Sequence, residues 1–132
     1  MHEITLRSQQ RRELIDVTDR VTALIEQSGM SDGLAVLYVP HTTAGVTINE
    51  GADPAVQRDI LTALQRLVPH DGGYEHAEGN SDAHITSSLI GCTTQVIIAD
   101  GEMALGTWQR IFFYEGDGPR TRRLLVDVIA RE

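Results

Sequence analysis

The chain has 132 residues, 41% hydrophobic and 23% charged, the balance of one soluble domain able to bury its own core. Its formal charge of −8 argues against nucleic acid or an anionic membrane as the main partner. Lysine is absent, which excludes Schiff-base and lysine-nucleophile chemistry, and the lone Cys92 excludes an intrachain disulfide.

Glu3-Ile4-Thr5-Leu6-Arg7 alternates polar and apolar residues, the pattern of a half-buried strand, and Arg12 to Val17 is its expected hairpin partner. A helix is predicted from Asp16 or Thr18, with Val17, Val21, Leu24 and Ile25 on one face and a stop at Ser28-Gly29. Gly33 to Val39 is a continuous apolar run, read as a buried central strand that Pro40 ends, delivering His41 at its tip. Gly45 to Glu50 alternates again. Asp53-Pro54 then opens a helix, with Asp53 as N-cap and an apolar stripe through Val56, Ile60, Leu61, Leu64, Leu67 and Val68.

Residues 70–81 hold three glycines and little that is apolar, and read as a long loop. A short helix is expected around Ala83 to Gly91, then strands over Thr94–Ala99, Thr107–Tyr114 and Arg123–Ile129. Turns fall at Asp100-Gly101 and over Glu115 to Arg120. Many strands with two main helices, and no regular β-α alternation, predict an α+β fold with antiparallel or mixed sheets. No repeat or domain boundary is visible, so residues 1–132 are read as one domain. The opening Met-His-Glu-Ile-Thr-Leu lacks the marks of a secretory leader and no apolar run has membrane-spanning length; the expectation is a cytoplasmic protein.

Two polar stretches concentrate the chemistry. Residues 74–84 contain His76, His84, Glu75, Glu78, Asp82, Asn80 and Ser81, poor material for a core because each buried polar group needs a partner. Residues 41–50 contribute His41 and Glu50. Imidazole is a preferred zinc ligand, and three imidazoles with one open position make a catalytic-type site, so His41, His76 and His84 are the candidate ligands. No short metal signature such as His-Glu-x-x-His supports them, and each alone also reads as a surface histidine. Glu50 and Asp82 are candidate bases, while Asp53 is explained by N-capping. Arg120, after a Gly-Pro turn, suits an anionic group, with a solvated turn arginine as the equal alternative. Trp108 and Cys92 read as packed residues.

Four runs in order, His41-Thr42-Thr43-Ala44-Gly45 with Asn49-Glu50, His76 to Ile85, Gly106-Thr107-Trp108-Gln109 and Asp117-Gly118-Pro119-Arg120, resemble the YjbQ family across essentially the whole chain. The resemblance implies an α+β, β-sandwich-like fold assembled as a homotrimer, with a divalent metal on His41, His76 and His84. It also implies a small-molecule site using Thr42, Asn49, Asn80, Ser81, Gln109 and Arg120. The activity it implies is a secondary thiamine-phosphate synthase, joining a hydroxymethylpyrimidine diphosphate to a thiazole phosphate and releasing pyrophosphate. Three imidazoles favour zinc, whereas a diphosphate substrate favours magnesium. Two alternatives therefore stay open: a metal-dependent hydrolase of a small phosphorylated or acyl substrate, and a non-catalytic trimer binding a metal or metabolite. Two positions depart from the expected pattern. Thr86 stands where the resemblance implies a lysine able to hold an anion, and Gly116 where it implies a bulkier residue.

Overall fold

In the computed structural model, which describes residues 1–131, the chain runs β1 (His2–Arg7), β2 (Glu13–Asp16), α1 (Thr18–Ser28), β3 (Gly33–Tyr38), β4 (Ala44–Glu50), α2 (Pro54–Leu67), α3 (Ser81–Ile90), β5 (Thr93–Ala99), β6 (Glu102–Met103), β7 (Gln109–Glu115) and β8 (Thr121–Ala130). Every strand pair is antiparallel, in a five-stranded sheet ordered β1-β8-β3-β5-β6 and a three-stranded sheet ordered β2-β7-β4. The fold is α+β and β-sandwich-like. Beside the two main helices, the short helix expected around Ala83 to Gly91 is present as α3, ten residues long.

The inner faces of the two sheets supply the core. Ile4, Leu6, Leu37, Val96, Ile98, Leu124 and Val126 of the larger sheet meet Val46, Ile111 and Phe113 of the smaller one. Helix α1 closes one side of this layer with Val21 and Ile25, and its C-terminus stops at Gly29, whose left-handed φ of 67° suits a residue without Cβ. Helix α2 starts as predicted, the Asp53 carboxylate accepting from the Ala55 N–H at 2.9 Å. Its stripe is only partly used. Leu64 and Val68 are buried, while Leu67 is exposed, because α2 packs on the edge strand β2 rather than across a sheet.

The first hairpin is corrected. β1 pairs with β8, placing Ile4 opposite Leu124, and β2 pairs with β7, placing Leu14 opposite Tyr114. The link between β1 and β2 carries no Gly or Pro to form a tight turn, and it crosses from one sheet to the other. The fully buried Ser8 anchors it, donating its N–H to Arg120 O at 2.9 Å. A second link ties the sheets where α3 meets β5: Val39 N–H donates to Cys92 O at 2.7 Å and Val46 N–H to Gly91 O at 3.0 Å. Trp108 is also corrected. It lies just before β7 rather than within it and is 63% exposed. Cys92 is likewise exposed, not packed. Among the described residues no helix is long and apolar enough to cross a membrane.

Candidate functional site

The tip of β3, the loop into β4, the N-terminal end of α3 and the turn before β8 meet at one end of the molecule. There they enclose a pocket of about 790 Å³ lined by Tyr38, Val39, Pro40, His41, Thr42, Thr43, Glu78, Asn80, His84, Cys92, Arg120 and Arg122. Pro40 stops the strand, so His41 and Thr42 leave the sheet and face this space. An adjoining hollow of about 410 Å³ shares His41, Thr42, His84 and Cys92 and adds Ser87 and Ser88 from α3.

Beneath the pocket lies a closed polar set. Arg122 donates from Nε to Glu115 Oε1 at 2.9 Å, and its Nη2 makes a further short contact to Glu115 Oε2. The same Nη2 donates to Thr43 Oγ1 at 2.8 Å. Ser8 Oγ donates to Glu115 Oε1 at 2.6 Å, and the Asp117 N–H donates to Glu115 Oε2 at 2.9 Å. Burial alone would raise the Glu115 pKa, but the hydrogen bonds from Arg122 and Ser8 outweigh it and hold the carboxyl below its ordinary value. Neither Glu115 nor Arg122 was singled out from the sequence as a site residue. Together they brace Thr43 and the turn that carries Arg120. Gly118 in that turn has no room for a side chain, since a Cβ would lie 2.2 Å from Gln10 O.

Arg120 is held by its neighbour in the turn: Nε donates to Asp117 O at 2.7 Å and Nη2 to Asp117 Oδ2 at 2.8 Å. Asn80 reaches the same Asp117 Oδ2 at 2.9 Å through Nδ2, fixing the start of α3 to the turn. His41 receives the Arg123 N–H on Nε2 at 3.0 Å. Its desolvation, followed by the charges of Arg122 and Arg123, pushes its pKa below the usual value, so the ring is neutral at pH 7 with its proton on Nδ1.

The three histidines are unequally placed. His41 and His84 line the pocket together, while His76 packs edge-on against His84 with ring centroids 5.3 Å apart. Two imidazoles sharing one tetrahedral zinc put their centres about 5 Å apart, so the His76–His84 pair fits two positions of such a site. His41 already uses Nε2 for the Arg123 N–H, so joining them requires that bond to open or the ring to coordinate through Nδ1. Among the described residues no three His, Cys, Asp or Glu side chains come together as a ligand set.

Several expected site residues lie elsewhere. Asp82 is fully buried and accepts from Arg12 Nη2 at 2.7 Å and Arg11 Nη2 at 3.0 Å, with His70 Nδ1 at 3.1 Å. Burial would raise its pKa, yet the bonds from Arg12, His70 and Arg11 bring it down to about 2. A carboxylate so weakly basic and so enclosed is a poor general base, and that role is withdrawn for Asp82. Ser81, the first residue of α3, faces a different hollow with His76 and His70. Asn49, Glu50 and Gln109 sit at the far end of β4 and β7, with Glu50 opposite Gln109. Glu50 Oε2 there accepts the Asp53 N–H at 2.9 Å. Six strand steps, about 20 Å, separate this end from the pocket within one chain. The carboxylate that lines the pocket is Glu78.

Both departures from the expected pattern acquire a physical reason. Thr86 is fully buried beneath α3, where its hydroxyl accepts from Tyr114 O–H at 2.8 Å, so position 86 does not face the pocket. Gly116 is enclosed too: a Cβ would lie 2.9 Å from Thr43 O and 3.3 Å from Ala83 Cβ.

An antiparallel two-sheet α+β domain with a histidine-lined pocket at one end is thus the class of protein that these residues build. The chain belongs to the YjbQ family: the family model for UPF0047 protein YjbQ-like matches residues 2–131. A UPF0047 protein of Methanocaldococcus jannaschii is 53% identical over 124 residues, covering 94% of this chain and 90% of that protein. UPF0047 protein YugU of Bacillus subtilis is 42% identical over 127 residues, 96% of each. The crystal structure of an uncharacterized YjbQ/UPF0047 protein from Clostridium acetobutylicum superposes with a TM-score of 0.96 at 50% identity, covering 98% of this chain and 100% of that one. A protein of unknown function from Sulfolobus solfataricus gives a TM-score of 0.95 at 30% identity, covering 98% and 96%.

Proposed function

We propose that the His41–His84 pocket is an enzyme site for small phosphorylated substrates, working in a homotrimer, and that its reaction is the thiamine-phosphate synthase transfer. A hydroxymethylpyrimidine group moves from its diphosphate to a thiazole phosphate. The carbon–oxygen bond to diphosphate breaks, a bond to the thiazole forms, and the electron pair leaves on pyrophosphate. The observation that carries this reading is the convergence of Arg120, His41, His84, Thr42 and Asn80, from three separate segments, on one pocket.

Each residue has a definite task in this account. Asp117 fixes the Arg120 guanidinium by two of its nitrogens, leaving donors in a set orientation for phosphate oxygens. Thr42 and Asn80 supply further polar contacts along the same wall. Neutral His41 has one lone pair, on Nε2, which the Arg123 N–H now occupies, so the ring can bind a metal or a proton there only when that bond opens. His76 and His84, with His41 as third ligand, would hold a divalent ion, zinc by ligand type, whose contribution is to neutralise charge on the leaving diphosphate.

A second reading, metal-dependent hydrolysis, is favoured by one feature: Glu78 stands in the pocket beside the histidines, where a carboxylate can activate water. Both are tested by following pyrophosphate release with either substrate alone and with both. Release that needs both substrates and falls about 100-fold in Arg120→Ala supports the transfer. Turnover of one substrate alone that falls in Glu78→Gln supports hydrolysis. Ligand-induced stabilisation with no turnover across such a screen leaves a binding protein.

A further inference from the structure

The far end of β4 and β7 carries two of the motifs that the sequence set apart, Asn49-Glu50 and Trp108-Gln109, and the pocket uses none of them. Their oxygens serve local backbone: Gln109 Oε1 accepts the Gly106 N–H at 2.7 Å, and Asn49 Oδ1 accepts the Glu50 N–H at 2.7 Å. Among the described residues nothing accepts a hydrogen bond from the Asn49 or Gln109 amide nitrogen or from the Trp108 indole. An indole left 63% exposed among unused donors is costly to leave in water and suited to closing a site.

The pocket has the opposite deficiency. It is open on the side of Tyr38 and Cys92, both exposed, and beyond Tyr38 the outer face of the larger sheet carries exposed apolar side chains interrupted by Gln95 and Asp127 on either side of Val36. Tyr38 stands opposite Leu125, and Leu34 lies between Ile97 and Ile129, which are 64% and 51% exposed. The far end is acidic, with Asp16 and Asp19 on Arg110 and Glu50 and Asp53 nearby. At the pocket end Arg120, Arg122 and Arg123 are each paired with an acid, while Glu78 in the wall has no ion-pair partner among the described residues.

We infer that a second copy of this chain places Asn49, Glu50, Trp108 and Gln109 against the mouth of the His41–His84 pocket, completing the site with an aromatic wall, two amide donors and a carboxylate. The inference rests on the pocket being the functional site. In the homotrimer proposed above, each copy gives one such end and receives another, so every pocket is finished in the same way. The partner is a second copy because the chain carries both halves of the site on surfaces that cannot meet within it. The exposed Tyr38, Ile97 and Ile129 on the outer face of the larger sheet supply apolar contact area beside the mouth.

Cys92, the single thiol, lies in the pocket wall and allows a direct test. Gln109→Cys is treated with the shortest bismaleimide, because within a chain Gln109 lies about four strand steps, roughly 13 Å along β4, beyond the Val46 that is bonded to Gly91 next to Cys92. The expected result is covalent multimers on a denaturing gel that are absent in wild type and vanish in Gln109→Cys combined with Cys92→Ser. Asn49→Cys serves in the same way where the first variant does not fold. Trp108→Asp should yield a smaller species in solution with unchanged circular dichroism. A native monomer, or an assembly in which neither cysteine variant cross-links to Cys92, overturns the inference. The cross-link needs neither metal nor substrate, so its failure leaves the pocket chemistry standing, while loss of turnover with the cross-link intact removes the chemistry and keeps the assembly.

Discussion

Glu115 and Asp82 are both wholly buried carboxylates gripped by arginine, yet one cluster is closed inside the molecule and the other reaches the surface. Glu115 meets Arg122, Ser8 and the Asp117 N–H, all inside the molecule, and its partners hold Thr43 and the Arg120 turn. Asp82 meets Arg12 and, towards solvent, the half-exposed Arg11 and His70. The first set closes on itself under the pocket. The second ties α3 to the β1–β2 link and the loop after α2, and stays in contact with water. A carboxylate's usefulness as a base therefore cannot be judged from its sequence neighbours alone: Asp82 sits in the most polar stretch of the chain and is fully committed.

The contrast can be broken first at Arg122. Arg122→Ala leaves Glu115 charged and enclosed, and should destabilise the fold by about 3–5 kcal/mol in denaturant titration at pH 7. A loss below about 1 kcal/mol would mean that water reaches Glu115. Acid sharpens the other side. The Asp82 pKa falls from 3.8 to about 2 on folding, so as pH drops the unfolded chain takes up the proton first. Its contribution, about 2 kcal/mol, is present above pH of about 4 and lost as pH falls through about 2. Asp82→Asn should flatten that part of the stability–pH curve, and an unchanged curve would remove Asp82 as its source.

Between the two clusters, Tyr114→Phe deletes the hydroxyl that donates to Thr86 and should cost about 1 kcal/mol, with no change in metal content. The smallest effect on stability is expected at Arg120, half-exposed and paired only with Asp117. Arg120→Ala should shift stability by less than about 0.5 kcal/mol while reducing turnover. Elemental analysis of His76→Ala and His84→Ala addresses the metal directly. About one zinc per chain in the parent, lost in both variants, is the expected outcome.

Much of the fold was legible in the sequence because local signals and tertiary packing agree. The Asp53-Pro54 start of α2, the Gly29 stop of α1 and the apolar run of β3 each mean the same thing locally and globally. The β1–β2 hairpin was not legible, since strand alternation fixes a face and not a partner. His41, His84 and Asn80 stood out through the residue types crowded into polar stretches and Arg120 through its place after a Gly-Pro turn, and all four line one pocket. Glu115 and Arg122 were hidden because Glu115 closes an apolar strand and Arg122 is one of three nearby arginines with nothing to single it out, and only the folded turn between β7 and β8 makes them a buried pair. Trp108 was misplaced for a related reason: aromatic residues are usually buried, and one left outside by the end of a sheet carries no local mark.

The junction of α3 and β5 has a consequence for time as well as shape. Gly91 and Cys92 offer their carbonyls to Val46 of one sheet and Val39 of the other, so one short segment closes both walls from which His41 and Thr42 emerge. If that segment lifts, both amides are released together, and Val39 and Val46 should exchange hydrogen at a common rate even though they belong to different sheets. The pocket then breathes as a single cooperative unit, and its slowest opening sets how long anything enclosed behind it stays.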